Sequence, residues 1–137
     1  MIQKKKTSVI SYDGKIYNAN CLKKYLIEKG YKFKTNTDKE LILHLYKNLG
    51  PDCLKKLHGP FAFAIYDKER KLFFLARDHF GIKPLYYYFK KGLFLFAPEL
   101  KVIINNPRVK KELDFEALNQ YFSTGFGCIP APRTIFK

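Results

Sequence analysis

FAFAIYDKERKLFFLARD, at residues 61–78, is the most informative segment of this chain. Two β-prone runs, FAFAIYD and LFFLARD, flank the polar KERK, and this arrangement predicts a β-hairpin. Both runs are apolar at successive positions and not only at alternate ones, so each strand is expected to be buried on both faces. The sheet that contains this hairpin must therefore be covered on both sides.

The segments after this hairpin predict a second one. LYYYF at 85–89 and LFLFA at 93–97 are two further strands joined by a turn at Lys90-Lys91-Gly92. Residues 98–105 are predicted to be helical, and Asp114 is placed to cap a last helix over residues 115–122.

The segments before the hairpin mix strand and helix signals. Residues 7–10 are β-prone, and the Asp13-Gly14 pair is typical of a hairpin turn. Amphipathic spacing predicts a helix over residues 19–29, and the alternation at 31–34 predicts a half-exposed strand. Thr37 and Glu40 have the spacing of a capping box, which starts a helix that reaches Leu49, and a short helical turn is expected at 52–57.

Composition limits the class of protein. A chain of 137 residues with 47% hydrophobic residues is enough for one domain with a real core. No apolar run approaches the roughly 20 residues that span a membrane, and no signal-peptide pattern follows the first residues, so we expect a cytoplasmic protein. Cys21, Cys53 and Cys128 are widely spaced and form no CxxC pair, which predicts reduced structural thiols and no metal site.

The net charge of +14 raises the possibility of a nucleic-acid partner. The basic residues are mostly lysines scattered along the chain, whereas nucleic-acid readers concentrate arginine forks on one face. A basic nucleic-acid-binding domain is therefore a less favoured functional hypothesis, and its test is a steep fall of affinity with salt.

Several long strings resemble the glutaminase domain of asparagine synthetases in one order along residues 8–137. They are IYN at 16–18, GYKFKTNTD at 30–38, ARDHFGIKPLY at 76–86, FAPELK at 96–101 and PAPRTIF at 130–136. The resemblance implies a class II glutamine amidotransferase. It implies an α+β fold of the N-terminal-nucleophile hydrolase type, a four-layer sandwich of two antiparallel sheets with helices outside, which we expect to be incomplete here.

The same resemblance implies glutamine hydrolysis as the reaction, and it shows which parts of the reaction site we expect to be absent. In this family an N-terminal cysteine attacks the side-chain amide of glutamine and releases ammonia for ATP-dependent asparagine synthesis. Met1 is followed by Ile2 here, so we expect the nucleophile and the opening part of the domain to be absent and the chain alone to be inactive. ATP and magnesium would belong to a synthetase domain outside this chain, and no cofactor is expected within it.

Asp13, Gly14 and Lys15 stand where the family has its Asn-Gly-Glu oxyanion loop. Asp13 has lost a donor, and a carboxylate beside a developing oxyanion opposes catalysis. Lys15 replaces an acid near the substrate ammonium and would place like charges together. Without the resemblance, the favoured interpretation of Asp13-Gly14 is an ordinary hairpin turn.

Asp38 matches the family aspartate that receives the α-ammonium of glutamine, and it is unchanged. An acid in the first turn of a helix also simply complements the helix dipole, and the two interpretations are compatible. Arg77, Asp78 and Lys83 are predicted to be structural, bridging strands and an interface to the synthetase domain. A catalytic role for Cys53, near His58, or for Cys21, in a lysine-rich helix, is the least favoured alternative.

These observations divide the chain into a basic tail at 1–7, a partial glutamine amidotransferase domain at 8–124 and the start of a connection to a synthetase domain at 125–137. Two main hypotheses stay open. The chain is part of an asparagine synthetase, complemented by an N-terminal fragment or a synthetase domain, or it is a degenerate, non-catalytic binding or interaction module.

Overall fold

The computed structural model describes residues 2–5, 8–124 and 129–136. Its strands are β1 (Ile2–Lys5), β2 (Ser8–Gly14), β3 (Phe61–Asp67), β4 (Leu72–Arg77), β5 (Tyr86–Lys90) and β6 (Leu93–Ala97). Its helices are α1 (Ala19–Glu28), α2 (Asp38–Leu49), α3 (Leu100–Ile104) and α4 (Phe115–Ser123), and a 3₁₀ helix covers Gly50–Lys56. Cys128 and the first part of the predicted connection lie outside the described residues, as do residues 1, 6 and 7.

The strands form two antiparallel sheets, one with the order β1-β2-β3-β4 and one of β5 and β6. Both predicted hairpins are confirmed, with Ala64 opposite Leu75 in the first and Tyr88 opposite Leu95 in the second. Residues 2–5, assigned from the sequence to a basic tail, pair with β2 as an edge strand.

The central strand β3 is buried on both faces, as its continuous apolar run predicts. Phe61, Phe63 and Ile65 face α1 and α2 and join the main core with Leu26 and Leu41. Because side chains alternate along a strand, Ala62 and Ala64 lie on the opposite face, and they are also buried.

The two sheets meet on that opposite face. Phe73 of β4 lies with its ring centroid 5.4 Å from that of Phe94 and 6.1 Å from that of Phe96 in β6. The other face of β5 and β6 packs with Ile103 of α3 and with Val109. The layers are therefore helices, sheet, sheet and helix, and the predicted α+β fold with two antiparallel sheets is confirmed. Among the residues described, each helix is too short or too polar to span a bilayer.

Two local predictions are wrong. Asp13 and Gly14 do not turn the chain, because both continue β2 opposite Ala62 and Phe61. Residues 31–34 form no strand. Their aromatic residues instead pack on α2, where the rings of Tyr31 and Phe33 meet the ring of His44 edge-on at centroid distances of 5.0 and 4.9 Å.

The helix caps follow the sequence more closely. The hydroxyl of Thr37 accepts from the amide of Glu40 at 3.4 Å, and Asp114 accepts from the amides of Glu116 and Ala117. The buried Glu40 carboxylate also accepts from the amides of Lys34 and Thr35, so it anchors the loop that leads into α2. Buried acids need such donors, since an unpaired carboxylate in the core is costly.

Candidate functional site

The end of β2 approaches the loop before β3 very closely. The amide of Lys15 donates to the carbonyl of Pro60 at 2.8 Å, and the amide of Tyr17 donates to that of His58 at 2.8 Å. A Cβ on Gly14 would lie 2.3 Å from the Pro60 oxygen, and one on Gly59 would lie 2.3 Å from the Lys15 oxygen. Facing glycines therefore allow the two segments to lie side by side.

Asn18 fastens the same loop from the start of α1. Its side-chain amide donates to the carbonyl of Lys56 at 2.8 Å and accepts from the amide of His58 at 3.1 Å. The segment from Gly14 to Asn18 is thus held by backbone and side-chain hydrogen bonds along its length.

Asp38, the first residue of α2, reaches this segment. Its Oδ2 accepts from the hydroxyl of Tyr12 at 3.0 Å and from the amide of Ile16 at 3.1 Å. Asp38 and Gly14 are separate candidates in the sequence, and the structure brings Asp38 to Ile16, two positions beyond Gly14. Tyr12 is not a candidate by sequence, although strand alternation already places its side chain on the face that meets the helices.

Burial raises the pKa of the Tyr12 hydroxyl above its ordinary value, and the neighbouring Asp38 carboxylate raises it further. Both effects disfavour the phenolate. Tyr12 therefore stays protonated at neutral pH and can only donate to Asp38.

Asp13 lies at the same end of β2 on the other face of the sheet, because its side chain points opposite to that of Tyr12. Its carboxylate forms a salt bridge of 3.0 Å with the ammonium of Lys83, and both side chains remain partly exposed. The sequence predicts a structural role for Lys83 but does not pair it with Asp13. Lys15 follows with an exposed side chain.

Asp78 organises the loop that carries Lys83. Its carboxylate accepts from the amides of Phe80, Ile82 and Lys83 at 3.0–3.1 Å and from that of Phe61 at 3.4 Å. Burial opposes ionisation, but the backbone donors outweigh it, so the pKa of Asp78 lies below its ordinary value. Asp78 therefore holds this loop against the start of β3, as predicted for a charge that bridges strands.

Cys53 is not an activated thiol. Cys53 is fully buried, and burial together with the nearby Asp52 carboxylate raises its pKa to about 11. A thiol in this state is rarely ionised at neutral pH. Cys21 lies exposed on α1.

Among the residues described, neither a metal site nor one of the two best-formed cavities lies at these positions. The described ranges contain no group of three or more His, Cys, Asp or Glu side chains placed to hold a metal ion. A cavity of about 650 Å³ lies beside Arg77, Tyr86 and the C-terminal residues, and another of about 580 Å³ lies beside His44 and Asp67. Neither is lined by residues 12–16 or by Asp38. The end of β2 is therefore the candidate site because of its chemistry.

Solved structures show a similar fold. The chain superimposes with a TM-score of 0.62 on a glutamine phosphoribosylpyrophosphate amidotransferase from B. subtilis complexed with ADP and GMP. The identity is 24%, and the match covers 76% of this chain and 24% of that one. A structure described as the allosteric regulatory enzyme of purine biosynthesis gives a TM-score of 0.61 at 23% identity.

Sequence relatives are more similar. The chain is 40% identical to asparagine synthetase [glutamine-hydrolyzing] 3 of Bacillus subtilis over 96% of its own length, and 42% identical to a putative asparagine synthetase of Methanocaldococcus jannaschii over 94%. It is also 40% identical to asparagine synthetase B of Escherichia coli over 82%. The chain spans only 21%, 24% and 20% of these relatives.

A family model described as a glutamine amidotransferase domain matches residues 1–137. The fold with two antiparallel sheets agrees with this match. The strings at residues 16–18 and 30–38, which resemble glutaminase domains, also agree with it, and Asp38 and Ile16 bring them together at the end of β2. The chain belongs to the glutamine amidotransferase domain family and matches the glutaminase domain of asparagine synthetases.

Proposed function

We propose that this chain forms the amino-acid-binding part of a glutaminase site in an asparagine-synthetase-like protein, in which glutamine supplies ammonia for asparagine synthesis. Asp38 receives the α-ammonium of glutamine, and the Gly14–Lys15 segment lies beside the bound ligand. Such a site works with a segment that carries the nucleophile and with a synthetase domain that uses ATP and magnesium.

The observation that supports this proposal most strongly is the placement of Asp38. One oxygen of its carboxylate is held by Tyr12 and Ile16, while Oδ1 has no hydrogen-bond partner among the described residues. A half-buried carboxylate with one fixed and one available oxygen suits an ammonium group, because charge-assisted hydrogen bonds are the stronger kind.

Glutamine binding tests the proposal directly. We expect calorimetric titration with L-glutamine to show binding that weakens by about tenfold or more in Asp38→Asn, since the variant loses a charge-assisted contact. The glutamine analogue 4-carbamoylbutanoate, which lacks the α-ammonium, should bind the wild-type chain more weakly than glutamine does.

Asp52→Asn is the matched control for this titration. Asp52 is an exposed acid paired with Lys55 on the 3₁₀ helix, and its replacement removes the same charge away from the site. It should leave glutamine affinity unchanged. Equal affinity of wild type and Asp38→Asn, or of glutamine and its analogue, would contradict the assignment of Asp38.

We further propose that this chain by itself does not hydrolyse glutamine. Asp13 stands at the position where the family resemblance places an oxyanion donor, and its carboxylate can only accept. Losing one such donor costs on the order of 10²–10³ in turnover. An assay of glutamate release from L-glutamine should give the uncatalysed rate, and turnover by the 137-residue chain would overturn this proposal.

A further inference from the structure

The orientation of Asp38 depends on two donors that meet the same oxygen. The Tyr12 hydroxyl lies 3.0 Å from Oδ2, and the Ile16 amide lies 3.1 Å from it. With Oδ2 occupied twice, rotation of the carboxylate would break two hydrogen bonds. Oδ1 is therefore kept in one direction.

The two donors differ in kind. Ile16 contributes a backbone amide, and its buried side chain fixes that backbone in the core. Tyr12 contributes a side chain whose ring packs against the core and whose hydroxyl reaches Asp38. A tyrosine has only two side-chain torsions, so a ring held in this way is a rigid arm that carries a donor.

We infer that Tyr12 is a positioning residue for the amino-acid site: its hydroxyl fixes the Asp38 carboxylate so that Oδ1 faces the ligand ammonium. This inference rests on the proposed function of Asp38 and adds a residue to it. Tyr12 itself touches no ligand in this scheme, and it acts only through Asp38.

A second tyrosine–aspartate hydrogen bond, away from the proposed site, provides a comparison for Tyr12 and Asp38. Tyr46 on α2 donates to Oδ2 of Asp67 at 3.2 Å, and the ring of Tyr46 is buried. Burial and the Asp67 carboxylate raise the pKa of the Tyr46 hydroxyl, as happens at Tyr12. Loss of either hydroxyl removes one tyrosine–aspartate hydrogen bond, but only Tyr12 contacts Asp38.

The test compares Tyr12→Phe with Tyr46→Phe by titration with L-glutamine. We expect Tyr12→Phe to weaken glutamine binding by about three- to tenfold, the usual effect of one lost hydrogen bond. Tyr46→Phe should bind glutamine like the wild type, even if its thermal stability falls. A purely structural role for Tyr12 would lower stability in both variants and leave both affinities unchanged.

A second measurement needs no ligand. The Ile16 amide donates to the carboxylate that Tyr12 holds, so its hydrogen exchange in the native state should quicken several-fold in Tyr12→Phe and not in Tyr46→Phe. The Ile65 amide in the central strand serves as the reference for global stability.

These two measurements separate the possible failures. If the wild-type chain binds no glutamine, the proposed function fails, and the exchange of Ile16 still decides whether Tyr12 positions Asp38. Unchanged exchange at Ile16 in Tyr12→Phe overturns the inference whatever the titration shows. Unchanged glutamine affinity in Tyr12→Phe overturns it as well, even where Asp38→Asn has confirmed the binding site.

Discussion

Gly14 has a backbone φ of +135°, a conformation that residues with a side chain rarely adopt. An Asp-Gly pair is typical of a turn, yet Gly14 is the last residue of β2 and lies opposite Phe61. A glycine is needed here because the two backbones approach closely, and Gly59 on the facing segment, with a φ of +127°, meets Lys15 in the same way. A family motif residue can therefore be needed for packing before any catalytic role is considered.

Gly14→Ala should be strongly destabilising. The added Cβ would lie 2.3 Å from the Pro60 oxygen and 2.7 Å from the Phe61 Cα, and neither backbone atom can move cheaply. We expect a loss of about 3 kcal/mol in the free energy of unfolding, from backbone strain and overpacking together, measured by urea denaturation.

Gly92→Ala provides the comparison, because Gly92 has a φ of +74° with open space around it. It should cost only about 1 kcal/mol from backbone strain. Equal losses in the two variants would show that contact with Pro60 is unimportant.

At the scale of elements, the loop from Asp78 to Lys83 is built around one carboxylate. Four backbone amides converge on Asp78, which is only 6% exposed, while the neighbouring Phe80 is 92% exposed. The loop is therefore fixed from inside and presents Lys83 to Asp13. The sequence predicts a structural role for these charges, but not which residue is the centre of the loop.

The lowered pKa of Asp78 predicts a pH dependence of stability. Its folded-state pKa lies below the ordinary value of 3.8, so the unfolded chain binds more protons between the two values. The stabilisation is complete above the unfolded pKa and is lost as pH falls through the folded one. We expect the free energy of unfolding to fall below about pH 4, with a shallower slope in Asp78→Asn.

Chemical denaturation at a series of pH values measures this slope. Asp52→Asn is again the control, since exposed Asp52 accepts no such set of amides, and its pH profile should follow the wild type. An identical acid slope in Asp78→Asn and wild type would contradict the assignment of the effect to Asp78.

At the scale of the molecule, two sheets must meet for the four layers to exist. Phe73 of β4 makes this contact with the aromatic residues of β6, and the ring of Tyr66 lies 4.7 Å from Phe73 on the adjacent strand. The interaction joins segments more than 20 residues apart in sequence, as the positions of Phe73 and Phe96 show.

Phe73→Ala should loosen the contact between the sheets. Phe73 is 51% exposed, so we expect a loss of about 1–2 kcal/mol in the free energy of unfolding, less than for a fully buried phenylalanine. Phe80→Ala, at a side chain that touches little, should stay within about 0.5 kcal/mol of the wild type. Thermal denaturation followed by circular dichroism compares the two variants. Equal melting temperatures would contradict the role of Phe73 in holding the two sheets together.

The elements whose signals are local were predictable from the sequence. Hairpin runs at 61–78 and 85–97, the helix at residues 38–49 and the caps at Thr37 and Asp114 follow from periodicity and from hydrogen bonds within one turn. The resemblance to glutaminase domains also leads to the correct fold class. The strands that are apolar on both faces agree with it, because such strands require layers on both sides.

The remaining features depend on contacts between different segments of the chain, which no local signal encodes. Residues 31–34 alternate like a strand, but their backbone turns to the Glu40 carboxylate and their rings to His44. Asp13-Gly14 has the composition of a turn, but pairing with β3 keeps it extended. The meeting of Tyr12 and Asp38 across 26 residues has the same origin, since strand pairing and helix packing, and not local propensity, set which side chains share a site.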